Sequence, residues 1–181
     1  CIEVNAEDVD YATENWTYEN GNIDEGVVFS VGCAPEGYTY VPDDNFEQFL
    51  IDFGYDDTLD DLVLTANISS IDILYILDNE ISDLTGIEAF TALTSLYCNS
   101  NQLTFLDVSA NTALEYLNCS GNQITSLDVS ANTALTNLQC GYNQLTSLDV
   151  SSNTALAHFS TEDNQLTFLD MSNNTALTSL Y

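Results

Sequence analysis

The chain contains no lysine and no arginine. Its 181 residues carry 29 Asp plus Glu and one His, for a formal net charge of −29. Soluble domains normally mix both signs, with about a quarter of residues charged. Nothing here can neutralise phosphates, which excludes nucleic-acid binding. A polybasic membrane anchor and a phosphate-loop lysine are excluded as well. No Lys or Arg salt bridge can form. The sequence also shows no apolar run of about 18 residues and no charged-then-apolar leader, the marks of a membrane span and a signal peptide. Disorder does not follow from the charge. Hydrophobic residues make up 45% of the chain and aromatics 10%, enough to bury the core of one domain with a small appendage.

The acid is uneven: residues 1–92 hold 22 of the 29 carboxylates and residues 93–181 hold 7. This shift coincides with the start of a repeat. Leu93-Thr94-Ser95-Leu96-Tyr97-Cys98 recurs every 21 residues, starting again at Leu114, Leu135 and Leu156, and a fifth copy opens at Leu177. Each copy fits L-x-x-L-x-L-x-x-N-x-L, so Leu93, Leu96, Cys98 and Leu103 point inward in the first. A fixed period of this length reads as a solenoid with a parallel strand ladder. Asn101, Asn122, Asn143 and Asn164 recur at one position, where stacked amides can satisfy backbone groups left unpaired at each bend. The second half of each copy, Leu103-x-x-Leu106-Asp107-Val108-x-x-Asn111, has similar inward spacing. Twenty-one residues leave little room for a helix, so a short extended or irregular back face is expected. Chain end Tyr181 falls inside a copy and the chain starts at Cys1, so the 181 residues read as a piece of a longer protein.

Upstream, Ile71, Leu74, Ile76, Asn79, Ile81 and Leu84 fit the same template as an irregular first coil. Before it, Pro42-Asp43-Asp44-Asn45 leads into Phe46, Phe49, Leu50 and Phe53, with Gly54 following. A capping Asp or Asn, helical apolar spacing and a terminal Gly predict a short amphipathic helix over the open end of the stack. Residues 1–40, with Tyr11, Trp16, Tyr18, Val27, Val28, Phe29 and Val31 around an Asn20-Gly21 turn, suggest a β-rich arm. The organisation is thus an arm (1–40), a cap with a helix (41–70) and a repeat array (71–181).

Val41–Gln48, Gly54-Tyr55-Asp56-Asp57, Leu59-Asp60-Asp61 and Leu64–Ile68 resemble the N-terminal cap of secreted leucine-rich-repeat proteins of Bacteroidetes-type bacteria. Leu145–Leu156 resembles their repeat unit. Where that family often carries Lys after Asp-Val-Ser, this chain has Ala110, Ala131, Ser152 and Asn173. The resemblance implies a leucine-rich-repeat solenoid, located outside the cell or on the outer-membrane surface of a Gram-negative bacterium. It says little about activity.

Candidate chemistry is sparse. Cys98, Cys119 and Cys140 occupy one inward position in three coils, where free Cys behaves as a small hydrophobe. The short ligand spacings of a zinc site are absent. Cys1 and Cys33 lie outside the repeats. Either they pair, or Cys1 carries a lipid as the first residue of a mature lipoprotein; Glu3, Glu7, Asp8 and Asp10 resemble a surface-export signal of such bacteria. His158 stands alone and reads as a surface residue, since it can build neither a triad nor a His-based zinc site. No carboxylate pair has a reason to be held at glycosidase spacing. Asp56, Asp57, Asp60 and Asp61 form an acidic turn whose oxygens suit Ca²⁺, against the simpler reading of a solvated loop. Within it, Asp57-Thr58-Leu59 resembles a short bacterial O-glycosylation pattern. No other cofactor is indicated.

Asp107, Asp128, Asp149 and Asp170 should stack on the back face about 4.8 Å apart, where like charges repel by about 1 kcal/mol per pair in water. Two readings follow: each carboxylate accepts nearby turn N–H groups, or divalent cations bind the row. The front face carries two ladders, Tyr97–Asn118–Gln139–Ser160–Tyr181 and Ser95–Tyr116–Asn137–His158–Ser179. Tyr142, Glu115, Glu162 and Asp163 lie beside them. Neutral polar groups with scattered Tyr suit contact with a surface protein or glycan. The binding face is accordingly expected at Tyr97, Tyr116, Asn118, Asn137, Gln139, Tyr142, His158, Glu162 and Tyr181. The function expected is a non-enzymatic recognition or scaffold module. The alternative is a structural spacer or subunit of a surface assembly, with membrane contact only through lipid at Cys1 or a partner protein.

Overall fold

The computed structural model describes Ile2–Glu3, Phe29–Ser30 and residues 34–181. Strands β1 (Ile2–Glu3) and β2 (Phe29–Ser30) pair in parallel. The other arm residues named above, the Asn20-Gly21 turn, Cys1 and Cys33 lie outside the described residues.

Strand β3 (Tyr38–Tyr40) pairs antiparallel with β4 (Leu62–Leu64), and helix α1 (Asp44–Asp52) lies between them in sequence. The expected helix forms because Asp43 caps it: its Oδ1 accepts from the N–H groups of Asn45 at 3.1 Å and Phe46 at 3.0 Å. Phe46, Phe49 and Leu50 are buried as their spacing predicts. Phe53 departs from that pattern. Helix α1 ends at Asp52, so Phe53 is its C-cap, and although its ring stacks on Phe49 with centroids 4.4 Å apart it is 63% exposed. A four-residue helix α2 (Thr65–Ile68) leads into the coils.

The solenoid is a six-stranded parallel ladder of β5 (Ile73–Tyr75), β6 (Ser95–Tyr97), β7 (Tyr116–Asn118), β8 (Asn137–Gln139), β9 (His158–Ser160) and β10 (Ser179–Leu180) in sequence order. The register is the sequence period itself: Leu74, Leu96, Leu117, Leu138, Phe159 and Leu180 are successive partners. All of these except Leu180 are buried, in one core that runs from the cap through the coils. Complete burial of each such side chain contributes about 1.5–3 kcal/mol. The irregular first coil joins this core through Ile71, Leu74, Ile76, Ile81 and Leu84. A 3₁₀ turn (Ile87–Ala89) follows Gly86, whose φ is 104°. Glycine is required there, since a Cβ would stand 2.8 Å from the Tyr40 carbonyl oxygen. That close approach seats β3 against the first coil.

Each later coil returns through turns rather than a helix, and Asp107 and Asp128 form a parallel bridge on the back face. The asparagine position works as the spacing implies, and it also joins coil to coil. Asn122 donates to the carbonyls of Cys98 and Cys119, both at 3.0 Å, and accepts from Leu103 N at 3.0 Å. Asn101, Asn143 and Asn164 repeat the pattern. A second buried row serves the other bend: Asn132 donates to the carbonyls of Val108 and Asn111, both at 2.9 Å, and Asn111, Asn153 and Asn174 act alike.

Candidate functional site

The outward residues of the ladder form the front face. Cα partners run Tyr75–Tyr97–Asn118–Gln139–Ser160 and, beside them, Ile73–Ser95–Tyr116–Asn137–His158–Ser179. Both expected ladders are present through these positions. The tyrosines, however, are not scattered. The rings of Tyr75 and Tyr97 stack with centroids 4.5 Å apart, and Tyr97 and Tyr116 stack at the same distance. Tyr116 belongs to the neighbouring ladder and reaches Tyr97 diagonally, as long aromatic side chains can across a sheet. The result is one column of three rings. Beyond it, Gln139 Nε2 donates to the Tyr116 hydroxyl at 2.9 Å.

Burial and the neighbouring phenols push the Tyr97 hydroxyl above its usual range, and burial does the same for Tyr116. Tyr97 and Tyr116 therefore stay neutral hydrogen-bonding groups at physiological pH. Tyr75, 53% exposed, is a face residue that the sequence reading missed. It stands one coil before Tyr97, so the repeat spacing was the available signal.

The exit side of the face gathers the remaining candidates. Ser160 Oγ donates to Glu162 Oε2, and the Glu162 carboxylate lies over Gly141, where a Cβ would meet its Cδ at 2.8 Å. Tyr142 is exposed in a left-handed turn, φ 54°, and Asp163 follows one coil later at φ 51°. Asp163 and Glu162 together raise the Tyr142 pKa. His158 and Tyr181 are exposed, while Asn118, Asn137 and Gln139 are half-buried. Tyr97, Tyr116 and Gln139 are thus brought together, as are Tyr142 and Glu162. Among the described residues, no side-chain hydrogen bond or ring stacking joins His158 or Tyr181 to either group.

In the acidic turn, Thr58 Oγ1 donates to Asp57 Oδ1 at 3.1 Å. Among the described residues, no three His, Cys, Asp or Glu side chains converge closely enough to hold a metal ion. Asp60 accepts from Leu62 N at 3.2 Å, and Asp61 sits at φ 65° with its carbonyl bonded to Val41 N. Asp56, Asp57 and Asp60 line an open cleft of about 340 Å³ with Tyr38 and Tyr55. The loop is organised by Glu47, a residue the sequence reading passed over. Fully buried, its Oε1 accepts from Asp60 N and Leu62 N, both at 3.0 Å, while Oε2 has no partner. Burial raises the pKa of both Glu47 and Asp56.

On the back face the local reading of the Asp row holds. Asp107, Asp128, Asp149 and Asp170 each accept from the N–H two residues on, that of Ser109, Ser130, Ser151 and Ser172, at 2.8–2.9 Å. Hydrogen bonds from the side chains and backbone N–H groups of these serines hold all four carboxyls below the usual range, outweighing the repulsion that Asp107 and Asp149 feel from their row neighbours. Phe105 and Phe168, 68% and 76% exposed, occupy one coil position three coils apart and were also not foreseen.

Cys98, Cys119 and Cys140 are free and buried in successive coils. Burial pushes the thiols of Cys98 and Cys140 to about 12 and that of Cys119 well up. They remain protonated, as core residues. The functional domain of InlJ from Listeria monocytogenes is described as including a cysteine ladder. It is 40% identical over 78% of this chain and 32% of its own length, with a TM-score of 0.72. A family model for leucine-rich repeats, two copies, matches residues 112–158.

The coils are leucine-rich repeats. A leucine-rich-repeat protein of Leptospira interrogans is 26% identical over 59% of this chain and 30% of its own, with a TM-score of 0.57. An internalin, inlF, from Listeria monocytogenes shares the fold at 21% identity, with a TM-score of 0.63 over 78% of this chain and 49% of its own. The chain therefore spans a third to a half of the length of these solved relatives. A search of curated proteins finds no match. No helix among the described residues is long and apolar enough to cross a membrane.

Proposed function

We propose that this leucine-rich-repeat chain is a non-enzymatic recognition module that binds a protein through its strand face. The observation that carries the reading is the stacked column Tyr75–Tyr97–Tyr116 on that face. Tyr supplies large, rigid, amphipathic contact area at little entropic cost and is enriched at interfaces. The ladder holds the rings in place before binding, so little ordering cost remains. A protein fits better than a glycan. Rings stacked on each other turn their edges and hydroxyls outward, whereas a sugar needs an open ring face to lie on.

A location outside the cell, at a bacterial surface, is part of the proposal. It is supported by the resemblance of the cap and repeat unit to secreted bacterial proteins and by the Listeria and Leptospira relatives. Photo-cross-linking tests the face. A photoreactive residue at Asn118 is expected to capture a discrete partner in cells that make the protein. The same residue at Ser130, on the back, is expected to capture none. Capture from Ser130 alone would overturn the assignment.

A further inference from the structure

We infer that the strand face receives a partner segment rich in Lys and Arg, laid over the column Tyr75–Tyr97–Tyr116 and reaching Glu162. This rests on the reading that the strand face is the binding face, and adds the chemistry of what binds there. Charge is the first argument. The chain supplies 29 carboxylates and no Lys or Arg, so no acid on the face has an internal Lys or Arg to answer it. Complementary cations must come from the partner, and they would also steer its approach.

The face is built to receive them. Three phenol rings share one column, and their hydroxyl oxygens can accept hydrogen bonds from guanidinium or ammonium groups. With the ring faces stacked on one another, these hydroxyls are the groups of the column that meet the cations. At the exit side, Glu162 is held ready: Ser160 Oγ bonds it, and Gly141 leaves room for its carboxylate against the backbone of the preceding coil. Glu115, exposed, stands directly before Tyr116. Other occupants fit worse. A second copy brings the same net charge of −29 and no Lys or Arg, and an anionic polymer meets the same repulsion. The Asp row on the back face offers carboxylates without the stacked tyrosine column beside them.

The test uses an alternating arginine–serine peptide, with glutamate–serine and glutamine–serine peptides as controls, against the whole chain. Amide NMR shifts locate the bound peptide and calorimetry measures affinity. Only the arginine peptide is expected to bind, with shifts centred on residues 75, 97, 116 and 162. Affinity should fall when salt rises from about 0.05 to about 0.3 M. Tyr97→Ser and Glu162→Gln should each weaken binding about fivefold. Asp128→Asn and Asp149→Asn should change it by less than about twofold. The mapping needs no variant, so a Tyr97→Ser protein that fails to fold does not block the test. Shifts centred on the Asp row, equal losses from the back-face variants, or tighter binding of a control peptide would overturn the inference. If cross-linking from Asn118 still captures a partner in that case, the binding face stands and only its charge preference falls.

Discussion

At the residue scale, the asparagines show how a small side chain holds a large assembly. In each bend a carbonyl such as that of Cys98 accepts from two amides, Asn101 of its own coil and Asn122 of the next. Removing one amide leaves the carbonyl one bond, but leaves Leu103 N buried with none. Asn122→Ala should therefore destabilise the chain by about 2 kcal/mol, the cost of one orphaned buried donor plus lost bonds. Asn118→Ala removes a half-buried amide of the same size whose oxygen accepts from the nearby Ser120 N, and should cost under about 1 kcal/mol. Urea melts of the two variants check the contrast. Equal losses would mean that the buried amides are not what joins the coils.

At the scale of elements, two carboxylates tie helix α1 to its surroundings, with opposite electrostatic outcomes. Asp43 caps the helix with Oδ1 and reaches the first coil with Oδ2, which accepts from Ser82 N at 2.8 Å, Ser82 Oγ at 2.7 Å and Asp83 N at 3.0 Å. Burial alone would raise its pKa, but these bonds together with the one from Phe46 bring it below the ordinary 3.8. Glu47 makes two backbone bonds and leaves one oxygen unpartnered, so burial prevails and its pKa rises above 4.5. Glu47→Gln keeps the bonds from Asp60 and Leu62 while discarding the buried charge. It should leave stability at pH 7 unchanged or raised. Glu47→Ala should lower stability by about 2–4 kcal/mol, as two backbone donors and a buried volume lose their partner. Thermal melts decide, and a Gln variant as damaged as the Ala variant would show that the charge itself is required.

For the whole molecule, self-repulsion among 29 carboxylates opposes folding, and salt should relieve it. Calcium at matched ionic strength should do no more than magnesium, since among the described residues no three acids converge on an ion position. The pH response has two parts. Glu47 and Asp56 have folded pKa values above their unfolded ones, so the folded state binds more protons there. Their contribution is complete below the unfolded values and is lost as pH rises through the folded ones. Acidification from neutrality should thus stabilise. Asp43 and the row Asp107, Asp128, Asp149 and Asp170 have lowered values. Their contribution is present above the unfolded value near 3.8 and is lost as pH falls through the folded ones. Stability should pass through a maximum around pH 4–5. In Glu47→Gln the rise on the neutral side should shrink and the acid-side fall should remain. A melting temperature that falls steadily from pH 7 downward would contradict this.

What the sequence by itself determined is the part that repeats. In a solenoid each coil touches only its neighbours, so a spacing of 21 residues in the chain becomes direct adjacency in space. The inward leucines, the buried cysteines, the two front ladders, the Asn row and the Asp row all follow from that translation. Tertiary structure decided what the period does not encode. Tyr116 leans across to the ladder of Tyr97, because the free torsions of a side chain, rather than strand register, choose its diagonal neighbour. Tyr75 completes the column from the irregular first coil, where the spacing places it beside Tyr97 but does not by itself stack the two rings. In the cap, Asp43 finds Ser82, and Glu47 finds Asp60 and Leu62, across separations without any repeat. The sign of the Asp-row shift was open for a similar reason. Repulsion and hydrogen bonding act on the same carboxylate, and only the placed serine donors show which is larger.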